Sequence, residues 1–148
     1  MLPFLSVIED CTRAWTFAPD STDFVHIRWL LGSIPDWNAL YAEAYKTCKP
    51  GGWVESVETS AQVHSDHIKI PKDSAMAQWG EFWIEGGKQL GRTAKVVDDD
   101  LQRKGMEAAG FVDIQEKAFK VRWISRKSGG CHVIDALARY STTCVNET

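Results

Sequence analysis

The stretch "CKPGGWVESVE", Cys48 to Glu58, decides the fold class. Pro50 cannot continue a helix, and the Gly51-Gly52 pair supplies backbone angles that other residues resist. Trp53 to Val57 then alternates bulky and small side chains, as a strand does. A helix end, a tight turn and a strand in immediate succession form the junction of an α/β enzyme fold. Folds of this kind keep a glycine-rich phosphate or cofactor loop at their first strand. The rest of the chain has to be searched for it.

Upstream of the junction, "PDWNALYAEAYKTC" reads as a helix. Pro35 stands at its start, and Trp37, Leu40, Ala44 and Tyr45 recur at helical spacing. "DFVHIRWLL" before it is β-branched and aromatic, a strand. "AWTFAPDSTD" is a loop, and "PFLSVIE" is a short apolar strand. Downstream, a third strand runs from Trp53 to about Val63, followed by the polar loop "HSDHIKIPKD". "SAMAQWGEFWIEGGKQLG" fits an amphipathic helix with Met76, Trp79, Phe82 and Trp83 on one side and Gly86-Gly87 weakening its end. "DDDLQRKGMEAAGF" is a second helix, acidic at its start and with Gly110 past its end. "VDIQEKAFKVRW" closes as a strand, and the tail holds a short helix, "CHVIDALARY". Strands alternating with helices imply an α/β fold with a mainly parallel sheet and flanking helices. No linker or repeat interrupts the pattern, so residues 1–148 read as a single domain.

A chain of 148 residues can bury one moderate core. The net charge of -3 gives no electrostatic reason to expect nucleic acid or an anionic membrane as partner. The apolar start "MLPFLSVIED" is too short to span a bilayer, and it lacks a basic start and a cleavage site. Cys11, Cys48, Cys131 and Cys144 are far apart, with no CxxC or Cys/His ligand spacing. Neither a zinc site nor a disulfide framework is expected, and the location expected is cytoplasmic and reducing. Seven tryptophans suit either a core or the wall of an apolar pocket.

Three segments together carry a resemblance. "EDCTRAWTFAPDSTDFVHIRWLLGSIPDWNALYAEAYKTCKPGGWVESVE", "DSAMAQWGEFWIEGGKQLGR" and "AAGFVDIQEKAFKV" resemble the fungal S-adenosylmethionine-dependent methyltransferases of secondary metabolism and its regulation. The resemblance covers roughly Val7 to Val121 and implies the later half of a Rossmann-like fold. It also implies a cofactor loop on a first strand and a ribose-binding carboxylate on a second, both expected before Met1. No GxGxG occurs in the 148 residues. The tail after Val121 departs from the family pattern, so the last helix–strand pair is expected to be missing as well. By resemblance, Asp10-Cys11 is the position that meets the adenine ring, although Asp10 could equally cap a loop. The "HIR" of His26 to Arg28 matches the strand end beside the reactive methyl group. Without its neighbouring strands, "FVHIRWL" has an open apolar edge, so a homodimer is expected to complete the truncated fold.

Functional groups of open α/β sheets collect at the carboxyl ends of strands. That rule selects Asp10, His26, Arg28 and Glu58, with His64, Asp66 and His67 in the following loop. Histidine moves a proton near neutral pH, a carboxylate orients it, and arginine can hold a developing enolate or carbonyl oxygen. His26, Arg28, Glu58 and His64 are therefore the catalytic candidates. Against this, His26 suits a satisfied core position, Arg28 an ion pair with Asp36 or Glu58, and "HSDH" a solvated loop. Trp79, Phe82 and Trp83, joined by Trp29 and Trp37, can wall an apolar substrate cavity or fill the space of the missing strands; with Asp10 they are the substrate-binding candidates. No metal site and no bound cofactor are expected of this chain alone.

Three functions follow. The first is a cofactor-independent cyclase or isomerase, repurposed on a methyltransferase scaffold, acting on a hydrophobic fungal secondary-metabolite intermediate. The second is a methyltransferase subunit completed by another chain. The third is a non-catalytic binding or regulatory module.

Overall fold

The computed structural model describes residues 7–65, 69–127 and 130–144, with the backbone alone for His64 and from Val121 onward. The elements run β1 (Thr22–Arg28), α1 (Trp37–Thr47), β2 (Cys48–His64), α2 (Ala75–Gln89), α3 (Leu101–Ala109), β3 (Val112–Lys127) and β4 (Gly130–Cys144). The four strands form one sheet in the order β1-β2-β4-β3. β1 lies parallel to β2, whereas β4 is antiparallel to both of its neighbours, β2 and β3. Three of the four strands thus point the same way. The α/β class and the mainly parallel direction agree with the sequence reading.

The deciding stretch is built as its residues require. Gly51 has φ +74°, and a Cβ on Gly52 would sit 2.6 Å from Cys48 Sγ and 2.8 Å from the Lys49 carbonyl oxygen. The turn does not precede β2 but interrupts it. Thr22 pairs with Cys48 and Phe24 already with Trp53, so Lys49–Gly52 bulge out opposite Asp23. The Lys49 ammonium lies 2.7 Å from the Asp23 carboxylate across that bulge.

α1 begins at Asp36, whose carboxylate accepts from the Ala39 N–H at 3.1 Å. Trp37, Leu40, Tyr41 and Ala44 are buried with Ile27, Ile34, Val54, Val96, Met106 and Phe111 in the core. α1 and α3 lie on one face of the sheet. Ser56 joins them to it, bonded to the Tyr41 hydroxyl at 2.8 Å and to Gln102 Nε2 at 3.1 Å. Phe24, His26 and Arg28 are exposed on β1, and Trp53 beside them on β2 is 44% exposed, so among the described residues no helix lies over this part of the sheet. β1 is also the end of the strand order, with a free edge among the described residues.

Three expectations are corrected. The short helix read at "CHVIDALARY" is part of strand β4, and a strand therefore stands in the tail that departs from the family pattern. Its backbone has β2 on one side and β3 on the other, and satisfying two ladders outweighs a weak local helical spacing. The N-terminal strand read over "PFLSVIE" falls mostly outside the described residues, and Val7 to Glu9 carry no strand. The aromatic side of α2 neither fills the core nor closes a cavity. The helix meets β2 through Gly80, where a Cβ would lie 3.1 Å from the Ala61 carbonyl oxygen, and Gly87 is its other buried position. Close backbone approach through glycine leaves the large rings on the outside.

Candidate functional site

The site is the carboxyl end of the parallel pair β1 and β2, where the chain leaves β1 for α1. In open α/β sheets this end collects ligands. Trp29 follows the last residue of β1 with φ +58°, a left-handed conformation that bulky residues rarely adopt. Its N–H donates to the Val57 carbonyl at 3.1 Å. The next two amides, Leu30 and Leu31, donate to the two carboxylate oxygens of Glu58 at 2.8 and 3.1 Å. Gly32 N–H then donates to the Thr93 carbonyl at 3.1 Å, and Ser33 N–H to the Leu30 carbonyl at 2.8 Å. Five consecutive amides are held, and the Trp29 indole projects from them 62% exposed.

Glu58 is fully buried beneath this turn. Burial pushes its carboxyl up to about 7, against the lowering effect of the amides it accepts from. Tyr41, in the same interior, is also pushed up, chiefly by burial. Glu58 therefore anchors the turn from inside and offers no free oxygen to a ligand at the surface. Arg28 is exposed, and among the described residues it forms no ion pair with Asp36 or Glu58.

His26 is not a core histidine. Its ring stacks near Phe24, and Nδ1 meets the carboxylate of Glu55, the residue directly opposite on β2. This imidazole–carboxylate pair lies on the helix-free face, separate from the Glu58 anchor on the other face. His64 ends β2 with only its backbone described; Asp66 and His67 lie outside the described residues. No metal-ligand group occurs among the described residues.

Asp10 is exposed and shapes a tight loop. Its Oδ1 accepts from Thr12 N–H at 3.0 Å and Thr12 Oγ1 at 2.7 Å, and Arg13 sits 3.3 Å from Oδ2. These bonds, those of Thr12 first, hold the carboxyl below the ordinary range. Cys11 beside it packs against the core. The loop is fastened to α1 by Trp15 N–H donating to Glu43 at 2.8 Å, which keeps the Glu43 carboxyl low.

Trp37, expected at a substrate wall, is a core residue whose ring lies tilted against Tyr41 with centroids 5.9 Å apart. Trp79, Phe82 and Trp83 instead form an exposed cluster with centroids 5.7–6.4 Å apart. A cleft of about 350 Å³ lies along α2 and the 91–95 loop, with Pro35, Ile84, Lys88 and Arg92 in its wall and no tryptophan. Of the residues selected from sequence, the structure brings Trp29 and Glu58 together through one turn. Sequence reasoning missed Glu55; its place two residues after Trp53 on the same strand face was the available signal.

Among the described residues, one-sided α/β packing, a free parallel edge and a tightly held turn after β1 fit the later half of a Rossmann-like methyltransferase fold. The chain belongs to the S-adenosylmethionine-type methyltransferase family of fungal secondary metabolism. Residues 5–116 match the family described as "Methyltransferase domain". Among curated relatives, the secondary metabolism regulator LAE1 of Cochliobolus heterostrophus is 33% identical over 116 residues, which is 78% of this chain and 37% of the regulator. The methyltransferase pytC of Aspergillus terreus is 32% identical over 115 residues, 78% of this chain and 35% of that enzyme. The chain therefore spans little more than a third of these relatives. A solved S-adenosylmethionine-dependent methyltransferase from Thermotoga maritima superposes with a TM-score of 0.57 at 15% identity, over 93% of this chain and 62% of that structure. At that identity the likeness concerns the fold alone. No helix among the described residues is long and apolar enough to cross a membrane.

Proposed function

We propose that this chain is the acceptor-side half of an S-adenosylmethionine-dependent methyltransferase acting on a small hydrophobic metabolite. Polypeptide beyond these 148 residues, on the same chain or another, would supply the glycine-rich half. The observation that carries this reading is that, among the described residues, the parallel edge of β1 is free and the sheet face beside it uncovered. Parallel sheets are ordinarily covered on both faces, so the arrangement calls for further strands and helices there.

The residues present suit one end of the cofactor. Asp10 carries an exposed carboxylate on a preformed loop; Oδ1 is taken up by Thr12, and Oδ2, beside Arg13, keeps acceptor capacity for an amine N–H. Cys11, small and packed inward, leaves room for a flat ring. When bound, the cofactor supplies an electrophilic methyl group; this chain's own part is to hold the adenine end and present the acceptor.

A cofactor-independent cyclase or isomerase would need a proton-transferring group facing an apolar cavity. Among the described residues Glu58 is buried under its own hydrogen bonds, and the His26–Glu55 pair lies on the open face. The geometry favours the methyltransferase reading over the cyclase.

Isothermal titration with S-adenosylhomocysteine tests it. The chain alone should bind no tighter than about millimolar, too weakly for a resolved binding heat. A fusion carrying the glycine-rich strand and helix of a related methyltransferase ahead of residue 7 should bind at about micromolar affinity, and Asp10→Ala in that fusion should weaken binding about tenfold. A silent fusion, or tight binding by the chain alone, would overturn the reading.

A further inference from the structure

The turn after β1 is more tightly determined than a connection needs to be. All five amides from Trp29 to Ser33 are bound, two of them to a carboxylate that is fully buried. A buried carboxylate is costly to keep, and here it is spent on holding two backbone groups. The residue these bonds constrain is a tryptophan with φ +58°, where Gly, Asn or Asp would be at ease. Its side chain gains little in return, because the indole is 62% exposed. A strained, bulky and exposed residue fixed at the ligand-collecting end of a sheet indicates that the ring itself is needed there.

We infer that the Trp29 indole is a stacking platform for a planar π ring. A rigid indole offers a flat apolar surface with little rotamer entropy to lose, and its pre-set backbone removes the ordering cost at the moment of binding. Two sources supply such a ring in a methyltransferase: the acceptor molecule and the adenine of the cofactor. The inference rests on the reading of the chain as a methyltransferase half. Its test needs no methyl donor and no fusion, so the two can fail separately.

The 148-residue chain is labelled with ¹⁵N at its seven indoles, and the Trp29 signal is identified by its loss in Trp29→Gly. Titrations use 2-naphthol, adenosine and, as a non-planar control, cyclohexanol. Movement of the Trp29 signal by 2-naphthol and not cyclohexanol assigns the platform to the acceptor; movement by adenosine alone assigns it to the cofactor. Either supports the inference. In Trp29→Gly, equilibrium dialysis should show binding of the active probe weakened at least about tenfold. The same variant should melt no lower than the parent, and about 3 °C higher if relief of the left-handed backbone is fully realised. A Trp29 signal unmoved by both planar probes, or moved equally by cyclohexanol, overturns the platform. So does unchanged probe binding in Trp29→Gly. A lower melting temperature in the variant would make Trp29 a structural residue and also overturn it.

Discussion

Replacing Glu58 by Gln should remove a pH-dependent contribution to stability, on top of a fixed loss because the Gln NH2 cannot accept from one of the two amides that the carboxylate holds. The native carboxyl is pushed up to about 7 by burial, from an ordinary 4.5. The native state therefore holds this proton more tightly than the unfolded chain does. Its stabilising contribution is complete below pH 4.5 and is lost as pH rises through about 7. Each unit of difference is worth about 1.4 kcal/mol. Between pH 8 and pH 5 the wild type should thus gain roughly 2–3 kcal/mol from this one group, and Gln at position 58 gains none. Urea unfolding at pH 5, 6, 7 and 8 on both proteins reads the effect directly. For a chain of this size the gap between the two urea midpoints should change by on the order of 1 M across the range. Asp10 and Glu43, held low in the native state, act in the opposite sense at lower pH and cancel between the two proteins. Parallel pH profiles for wild type and Glu58→Gln would refute the account of Glu58 as a buried, charge-costly anchor.

Other outcomes follow from the same geometry. Gly52→Ala should destabilise by about 2–4 kcal/mol, since its Cβ would collide with Cys48 Sγ and the Lys49 carbonyl, whereas Gly51→Ala, with open space but a positive φ, should cost about 1 kcal/mol; urea midpoints separate the two. Asp36→Ala removes the α1 cap and should cost about 1 kcal/mol by the same assay. The isolated chain should be a homodimer joined at the free edge of β1, and Phe24→Lys should shift it to monomer in size-exclusion chromatography with light scattering. A wild type that elutes as a clean monomer would remove the edge-pairing expectation.

Much of the fold was legible because local signals and tertiary demands agree. Pro35 marks the start of α1, and Gly110 closes α3 with φ +102°; the Pro50-Gly51-Gly52 turn was legible as a turn, although it bulges within β2 rather than preceding it. The strand β4 was not legible, because what makes it a strand is the pair of unsatisfied edges on β2 and β3, and no residue of "CHVIDALARY" announces them. On α2 the hydrophobic side pointed the wrong way. Large rings mark a buried face only when nothing smaller can pack closer, and Gly80 allows the helix backbone onto the Ala61 carbonyl instead. At the site, the rule of strand ends found Glu58 and the aromatic-wall reading included Trp29, but neither showed their relation. Alternation in "WVESVE" permits Glu58 on either face, and only the packed structure turns it inward to hold the amides that follow β1.

The antiparallel position of β4 has a kinetic meaning. β1, α1 and β2 are contiguous over residues 22–64, and β3 pairs with β4 from Val112 opposite Cys144 to Lys127 opposite Gly130. Each piece closes through contacts near in sequence, which form early. The sheet becomes continuous only along the ladder from Trp53 opposite Cys144 to His64 opposite Asp135, whose partners are far apart in the chain. By its sequence separation that ladder should be the late step of folding. It is also the seam along which the native sheet parts into a β-α-β unit and a hairpin, so amide exchange should report two opening energies in this chain, divided between β2 and β4.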